Sequence, residues 1–146
     1  MDVDVLTETD IARPRTEVAA YASHPDNAPA WYRNIDRVEW VTPPPLVVGS
    51  QVAFVARFLG RRLAYTYEVR ESVADERLVM ATADGPFAME TTYTWADAAG
   101  GGTRMTLRNR GTPSGFAAVT APAVAAAMRR ANRADLERLQ AILEGG

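Results

Sequence analysis

Seven polar side chains share the inward, otherwise apolar face that the sequence pattern assigns to four strands and a long C-terminal helix. They are Tyr65, Tyr67, Thr82, Thr91, Tyr93, Asn109 and Asn132. A buried hydroxyl or amide without a partner costs on the order of 1–3 kcal/mol, so such groups bond to one another, to water or to a ligand. One interpretation is an aromatic cavity with polar groups in its wall. The alternative is that each tyrosine packs its ring and leaves its hydroxyl at the rim of the core.

Proton transfer has three candidate residues. Asp135 lies at a helix position whose angle falls within the apolar arc, so burial near tyrosines would raise its pKa and suit it to acid–base chemistry. The alternative, which we favour, places Asp135 near the helix end where the arc meets solvent, or in a pair with Arg138 one turn on. The hydroxyls of Tyr67 and Tyr93 are the other two candidates. His24, the only histidine, precedes a proline in a turn and is predicted to be an exposed loop residue.

The composition excludes several kinds of chemistry. The 16 basic residues are all arginine and there is no cysteine, which removes lysine Schiff bases, thiolate nucleophiles and cysteine zinc sites. Ser114 lacks the spacing of a nucleophile elbow, and Gly100–Gly102 lacks the helix and basic partner of a phosphate-binding loop. A net charge of −2 with scattered arginines gives no basis for nucleic-acid binding. We therefore predict no metal and no cofactor.

One long helix is predicted from Phe116 to Glu144, because no glycine follows the Gly111–Gly115 break until Gly145. On a helical wheel its apolar residues fall on one arc and its charged residues fall opposite. The apolar arc consists of Val124, Met128, Ala131, Leu136, Leu139, Ile142 and Leu143. One side of this helix therefore needs to be covered by the rest of the chain.

Before the helix, apolar and polar residues alternate in short segments, which indicates strands with one covered face. The apolar rows begin at Val3, Ile35, Val52, Leu63, Leu78, Phe87 and Met105. Pro14 can start a first short helix, and Asp26 or Asn27 can cap a second one that carries Trp31. Arg57 is assigned to the outer face of the sheet. The prediction is an antiparallel sheet of about seven strands curved around the long helix, with the first strand at an edge and the function in the enclosed space.

Four short segments and the order of the elements carry a family resemblance. The segments are Ile11-Ala12-Arg13-Pro14, Pro25-Asp26-Asn27 before Trp31, Val48-Gly49-Ser50, and Asp135-Leu136-Glu137-Arg138-Leu139. Together with the order strand, two short helices, six strands and long C-terminal helix, they resemble the α+β helix-grip fold of START-like, Bet v 1-like proteins. Within it they look like the SRPBCC superfamily and its polyketide cyclase/dehydrase branch. The resemblance implies a lipid-binding-like cavity between sheet and helix that holds a hydrophobic ligand.

The predicted ligand-binding residues combine ring packing, adaptable methionines and two orienting amides. They are Trp31, Phe54, Tyr65, Tyr67, Met80, Phe87, Met89, Tyr93, Asn109, Met128 and Asn132. The same resemblance places Trp31, with its neighbour Tyr32, at the cavity mouth, although core packing is an open alternative. We predict that the protein binds a small, mostly hydrophobic, aromatic or polyketide-like molecule. The alternatives are a cofactor-independent polyketide cyclase, aromatase or dehydratase that uses Tyr67, Tyr93 or Asp135, and a protein-interaction module.

The length is typical of one domain, predicted over residues 1–146. No run of residues approaches membrane-spanning length, and the acidic start lacks the apolar core of a signal peptide. We therefore expect a cytoplasmic monomer or homodimer that does not insert into a membrane.

Overall fold

The computed structural model describes residues 3–58, 60–84, 88–112 and 121–145. In chain order its elements are β1 (Val3–Ile11), α1 (Arg15–Ala22), a 3-10 turn (Pro25–Asn27), α2 (Ala28–Trp31), β2 (Ile35–Trp40), β3 (Gln51–Phe58), β4 (Arg61–Val73), β5 (Arg77–Asp84), β6 (Met89–Asp97), a second 3-10 turn (Ala99–Gly101), β7 (Thr103–Gly111) and α3 (Ala121–Gly145). The predicted helix start at Phe116 and the predicted ligand residue Phe87 lie outside the described residues. No helix within the described ranges is long and apolar enough to cross a membrane.

The seven described strands form one antiparallel sheet in the order β1-β7-β6-β5-β4-β3-β2. β1 lies at one edge, as predicted, and pairs with β7 from Val3 opposite Gly111 to Ile11 opposite Thr103. The strands from β2 to β7 each pair with the next one along the chain, which short connections between antiparallel strands allow. The predicted sheet of seven strands, two short helices after the first strand and a long C-terminal helix is confirmed.

Alternation along the strands decides which face of the sheet is covered. In β1, Val3 and Ile11 are buried while Asp4 and Asp10 are exposed, because successive side chains point to opposite faces. The long helix α3 packs against this covered face and contacts β1. Its buried residues are Ala121, Val124, Asn132, Asp135, Leu136, Leu139 and Leu143. The buried face of α3 therefore contributes two polar side chains, Asn132 and Asp135, to an otherwise apolar contact with the sheet.

The described core contains three groups of buried residues. The first joins Trp31, α1 and the C-terminal half of α3 to the central strands. The second surrounds Val5 and Val124, and the third surrounds Val52 and Phe54. Tyr67 packs against all three groups. The middle of β4, where Tyr67 lies, is therefore the place where the core groups meet.

The cap of the second short helix differs from the prediction. Asn27 makes no side-chain cap, and its Nδ2 donates to the carbonyl of Tyr21 at 3.1 Å. The Asp26 carboxylate accepts a hydrogen bond from Trp40 Nε1 at 2.9 Å. His24 instead caps the 3-10 turn that precedes this helix, because its Nδ1 accepts from the backbone N–H of Asp26 at 3.3 Å. The His24 side chain is exposed, as predicted, and its contacts at this turn are structural.

Candidate functional site

A cavity of about 160 Å³ lies between the sheet and α3. It is lined by Tyr32, Asn34, Ile35, Phe54, Ala56, Arg57, Leu63, Tyr65, Tyr67, Met80, Met89, Thr91, Tyr93, Asn109, Met128, Ala131, Asn132 and Asp135. An apolar cavity of about 150 Å³ is known to hold benzene, whereas sites for drug-sized ligands are typically about 300–1,000 Å³. In this conformation the cavity therefore suits a molecule of about one aromatic ring.

Nine of the eleven predicted ligand-binding residues lie in the wall of this cavity. They are Phe54, Tyr65, Tyr67, Met80, Met89, Tyr93, Asn109, Met128 and Asn132. Phe87 lies outside the described residues, and Trp31 does not line the cavity. The predicted inward Thr82 also lies elsewhere, where its hydroxyl accepts a hydrogen bond from the Met89 N–H at 3.0 Å. That the nine residues bind a ligand stays a prediction.

Trp31 is a core residue, so the core-packing alternative is correct and its placement at the cavity mouth is not. Its side chain is fully buried, with ring centroids 4.0 Å from Tyr32 and 5.9 Å from Tyr93. The helix α2 ends at Trp31, and Tyr32 adopts extended backbone angles of φ −82° and ψ 115°. Because of this change in backbone direction, Tyr32 reaches the cavity and Trp31 packs beneath it. Tyr32 is therefore the aromatic residue that this segment contributes to the site.

A chain of hydrogen bonds crosses the cavity wall from the sheet to α3. The Tyr67 hydroxyl is bonded to Thr91, and Asn109 Nδ2 donates to Thr91 Oγ1 at 2.9 Å. Asn132 Nδ2 on α3 then donates to Asn109 Oδ1 at 2.6 Å. These groups are hydrogen-bond partners for one another, which is one of the outcomes expected for buried polar side chains. Asn109 already uses both its amide nitrogen and its amide oxygen, so Asn132 is better placed to contact a ligand.

The tyrosines of the cavity are neutral hydroxyl groups at ordinary pH. Tyr32 and Tyr93 share a hydrogen bond of 2.6 Å between their hydroxyl oxygens. Burial raises the pKa of Tyr32, Tyr93 and Tyr67 above that of an exposed tyrosine, because a phenolate is poorly solvated there. They therefore serve as hydrogen-bond donors and acceptors, and a role for Tyr67 or Tyr93 as a base would require a phenolate that burial disfavours.

Asp135 is buried in the cavity wall, so its expected place at the solvent boundary is wrong. Its side chain is 2% exposed, and Oδ1 accepts a hydrogen bond from the backbone N–H of Arg33 at 3.1 Å. The predicted partner Arg138 donates its Nε to the carbonyl of Ala30 instead. Burial raises the pKa of Asp135 to about 6, and the Arg33 N–H opposes part of that increase. α3 continues to Gly145, well beyond Asp135, so this position is not at a helix end.

Several lining residues were missed by the sequence pattern. Leu63 and Ala56 lie on rows already assigned inward, so the alternation contained a signal for them. The place of Asn34 in the cavity wall depends on the path of the chain after α2, which the sequence periodicity does not predict. The assignment of Arg57 to the outer face is wrong, because Arg57 lines the cavity. Its side chain is mostly exposed, and its Nε donates a hydrogen bond to Asp36 at 3.1 Å. Arg57 and its partner therefore mark a solvent-facing side of the site.

The comparison with family models identifies the family of this chain. Residues 2–144 match the model described as polyketide cyclase / dehydrase and lipid transport. The chain belongs to this family. No curated protein sequence matches it.

Solved structures show that this member of the family shares its fold with distant proteins. A protein from Thermus thermophilus is 21% identical, with a TM-score of 0.78 over 94% of each chain. The Zhui aromatase/cyclase from a Streptomyces species is 14% identical, with a TM-score of 0.80 over 99% of this chain and 94% of its own. Ginseng major latex-like protein 151 from Panax ginseng is 11% identical, with a TM-score of 0.70 over 97% of each chain. At these identities the likeness establishes the helix-grip fold alone.

The site of this polyketide cyclase / dehydrase family member combines apolar walls with one acidic group. Among the described lining residues, Asp135 is the group whose pKa lies near neutrality. No arginine side chain forms an ion pair with it in the described part of the chain, although the charges of Arg33 and Arg138 lower its pKa. The arrangement can therefore bury apolar surface, accept a hydrogen bond or cation at Asp135, and exchange a proton there.

Proposed function

We propose that this protein binds a small, mostly hydrophobic molecule of about one aromatic ring in the cavity between the sheet and α3. The observation that supports the proposal is a space of about 160 Å³ walled mainly by aromatic and aliphatic side chains. Protein interiors are otherwise close-packed, and burying apolar ligand surface is favourable by about 25 cal/mol per Å². The family, whose description includes lipid transport, is consistent with this function.

Polyketide-like ligands of several rings would need a larger cavity. Three methionines, Met80, Met89 and Met128, lie in the wall. Methionine side chains are unbranched and change rotamer readily, so they are the groups most able to enlarge the space. Single-ring compounds are therefore expected to bind without rearrangement, and larger ones only with a cost in affinity.

Filling the cavity should abolish binding without unfolding the protein. Ala131 lines the cavity on α3 and is half-buried, so Ala131→Leu would place a larger side chain in the ligand space. We expect at least about a tenfold loss of affinity for single-ring aromatic compounds. Isothermal titration calorimetry with ethylbenzene and toluene measures this loss.

The matched control is Ala126→Leu, which makes the same change at an exposed position of α3. This variant should bind as the wild type does. Equal affinity of Ala131→Leu and wild type would contradict the assignment of the cavity, and so would an absence of binding by the wild-type protein.

Catalysis is a second candidate function, favoured by Asp135. A carboxyl group with a pKa of about 6 in a mostly apolar cavity suits a general acid or base in the cyclisation or dehydration of a bound polyketone. We expect Asp135→Asn to lower turnover of a short polyketone analogue by about 100-fold or more while its binding is retained. Product formation followed by mass spectrometry tests this, and unchanged turnover in Asp135→Asn would exclude Asp135 as the proton-transfer group.

A further inference from the structure

Asp135 places a buried carboxylate in the cavity with one oxygen free. The side chain is 2% exposed and belongs to the cavity wall. Its Oδ1 is held by the N–H of Arg33 at 3.1 Å, whereas Oδ2 makes no hydrogen bond to the described residues. Buried charges in proteins are usually paired or coordinated, because isolation from water is costly. The free oxygen is therefore a group that lacks its partner.

The arginines nearest to the site are committed to other partners. Arg138 donates its Nε to the carbonyl of Ala30, and Arg57 donates its Nε to Asp36 at 3.1 Å. Arg33 presents its backbone N–H to Asp135, while the residue itself is exposed. None of these described guanidinium groups hydrogen-bonds the Asp135 carboxylate, although the charges of Arg33 and Arg138 oppose part of the increase in its pKa.

Besides Arg33 and Arg138, two tyrosines interact electrostatically with Asp135. The charge of Asp135 acts on Tyr32, which follows α2, and on Tyr93 of β6. Both hydroxyls are neutral and bonded to each other at 2.6 Å. Neither therefore supplies a positive charge.

We propose that the cavity selects a small aromatic ammonium compound, whose cationic group pairs with Asp135 Oδ2 while its ring lies among the cavity tyrosines. This inference rests on the ligand-binding function proposed above and specifies the chemistry of the ligand. The charges of Arg33 and Arg138 act on Asp135 without an ion pair within 4 Å in the described part of the chain, and an ammonium group would supply a direct ion pair and a hydrogen-bond donor to Oδ2. The faces of tyrosine rings also attract cations. A volume of about 160 Å³ admits one ring with a short side chain.

Three ligands of the same shape separate the contributions of charge and of hydrogen bonding from that of the apolar ring. Benzylamine, benzyl alcohol and ethylbenzene carry an ammonium, a hydroxyl and a methyl group, respectively, at the same distance from one ring. Titration of the full chain near neutral pH, followed by calorimetry or by NMR shifts, gives each affinity. We expect benzylamine to bind at least about tenfold more tightly than ethylbenzene.

The preference for benzylamine should depend on the Asp135 charge. Asp135→Asn retains the shape and an oxygen that can accept from the Arg33 N–H, and it should bind benzylamine and ethylbenzene with similar affinity. The matched control is Glu137→Gln, which removes the same charge from an exposed position of α3 and should retain the preference. Circular dichroism shows whether each variant is folded. If Asp135→Asn does not fold, the comparison of the three ligands on the wild-type protein decides the proposal.

The outcomes distinguish this inference from the binding function on which it rests. Ethylbenzene binding without a preference for benzylamine would overturn the ammonium assignment and leave the hydrophobic cavity function standing. Equal affinity for benzyl alcohol and benzylamine would overturn it too, since hydrogen bonding without charge would then suffice. A preference that survives Asp135→Asn, or that also disappears in Glu137→Gln, would show that Asp135 is not its source. Failure of all three ligands to bind would overturn both proposals.

Discussion

Asp135 occupies the same buried side of α3 as Leu136 and Leu139, and burial raises its pKa from 3.8 to about 6. Between these two values the folded protein binds a proton at Asp135 more readily than the unfolded chain does. The contribution of this group to the free energy of unfolding therefore falls as pH rises through that interval. At neutral pH, the raised pKa of Asp135 lowers the free energy of unfolding by at most about 3 kcal/mol.

Removing the charge of Asp135 should stabilise the protein at neutral pH. Asp135→Asn keeps an acceptor for the Arg33 N–H and avoids the buried charge, so we expect an increase of about 1–3 kcal/mol in the free energy of unfolding. Near pH 4 the wild-type group is protonated in the folded state, and the difference should largely disappear. The neighbouring Tyr32 and Tyr93 do not titrate in this interval, because burial raises the pKa of each.

Urea denaturation of both proteins at the two pH values measures this effect. Comparison at the same pH cancels the contribution of all other titrating groups. A variant that is less stable than the wild type at neutral pH would show that the Asp135 charge is compensated in the folded protein.

At the scale of elements, α2 depends on its packing. It contains only four residues, too few for a helix to be stable alone in water. Trp31 anchors it, since the indole is fully buried against Tyr32 and Tyr93. The Trp31 Nε1 atom has no hydrogen-bond acceptor among the described residues. Trp31 therefore stabilises α2 by packing, and this packing positions Tyr32 in the cavity wall.

Trp31→Ala should destabilise the protein and weaken ligand binding together. Loss of a fully buried tryptophan costs about 3–5 kcal/mol, and Tyr32 would lose the surface that positions it. Thermal unfolding and titration with ethylbenzene test the two effects. Trp40→Ala is the control variant. Because Trp40 is only partly buried, its loss should lower the free energy of unfolding by less. Comparable losses in the two variants would contradict the anchoring role of Trp31.

At the scale of the whole molecule, the cavity joins residues that are far apart in the chain. The hydrogen bond from Arg33 to Asp135 spans 102 positions, and the bond from Asn132 to Asn109 links α3 to the sheet. The wall includes residues from all three core groups, and Tyr67, which packs against each group, also lines the cavity. The site is thus a property of how the sheet closes on the helix.

The sequence by itself determined the strands, their faces and the covered side of the long helix. These follow from periods of two and of about 3.6 residues, which are local properties of the chain. The nine predicted residues found in the cavity wall follow from the same periods and from the family resemblance. Only the tertiary structure decided that Tyr32 lines the cavity instead of Trp31, that Asp135 is buried beside Arg33, and which amides bond to one another. Those outcomes depend on where α2 ends and on contacts between distant segments, which no local period encodes.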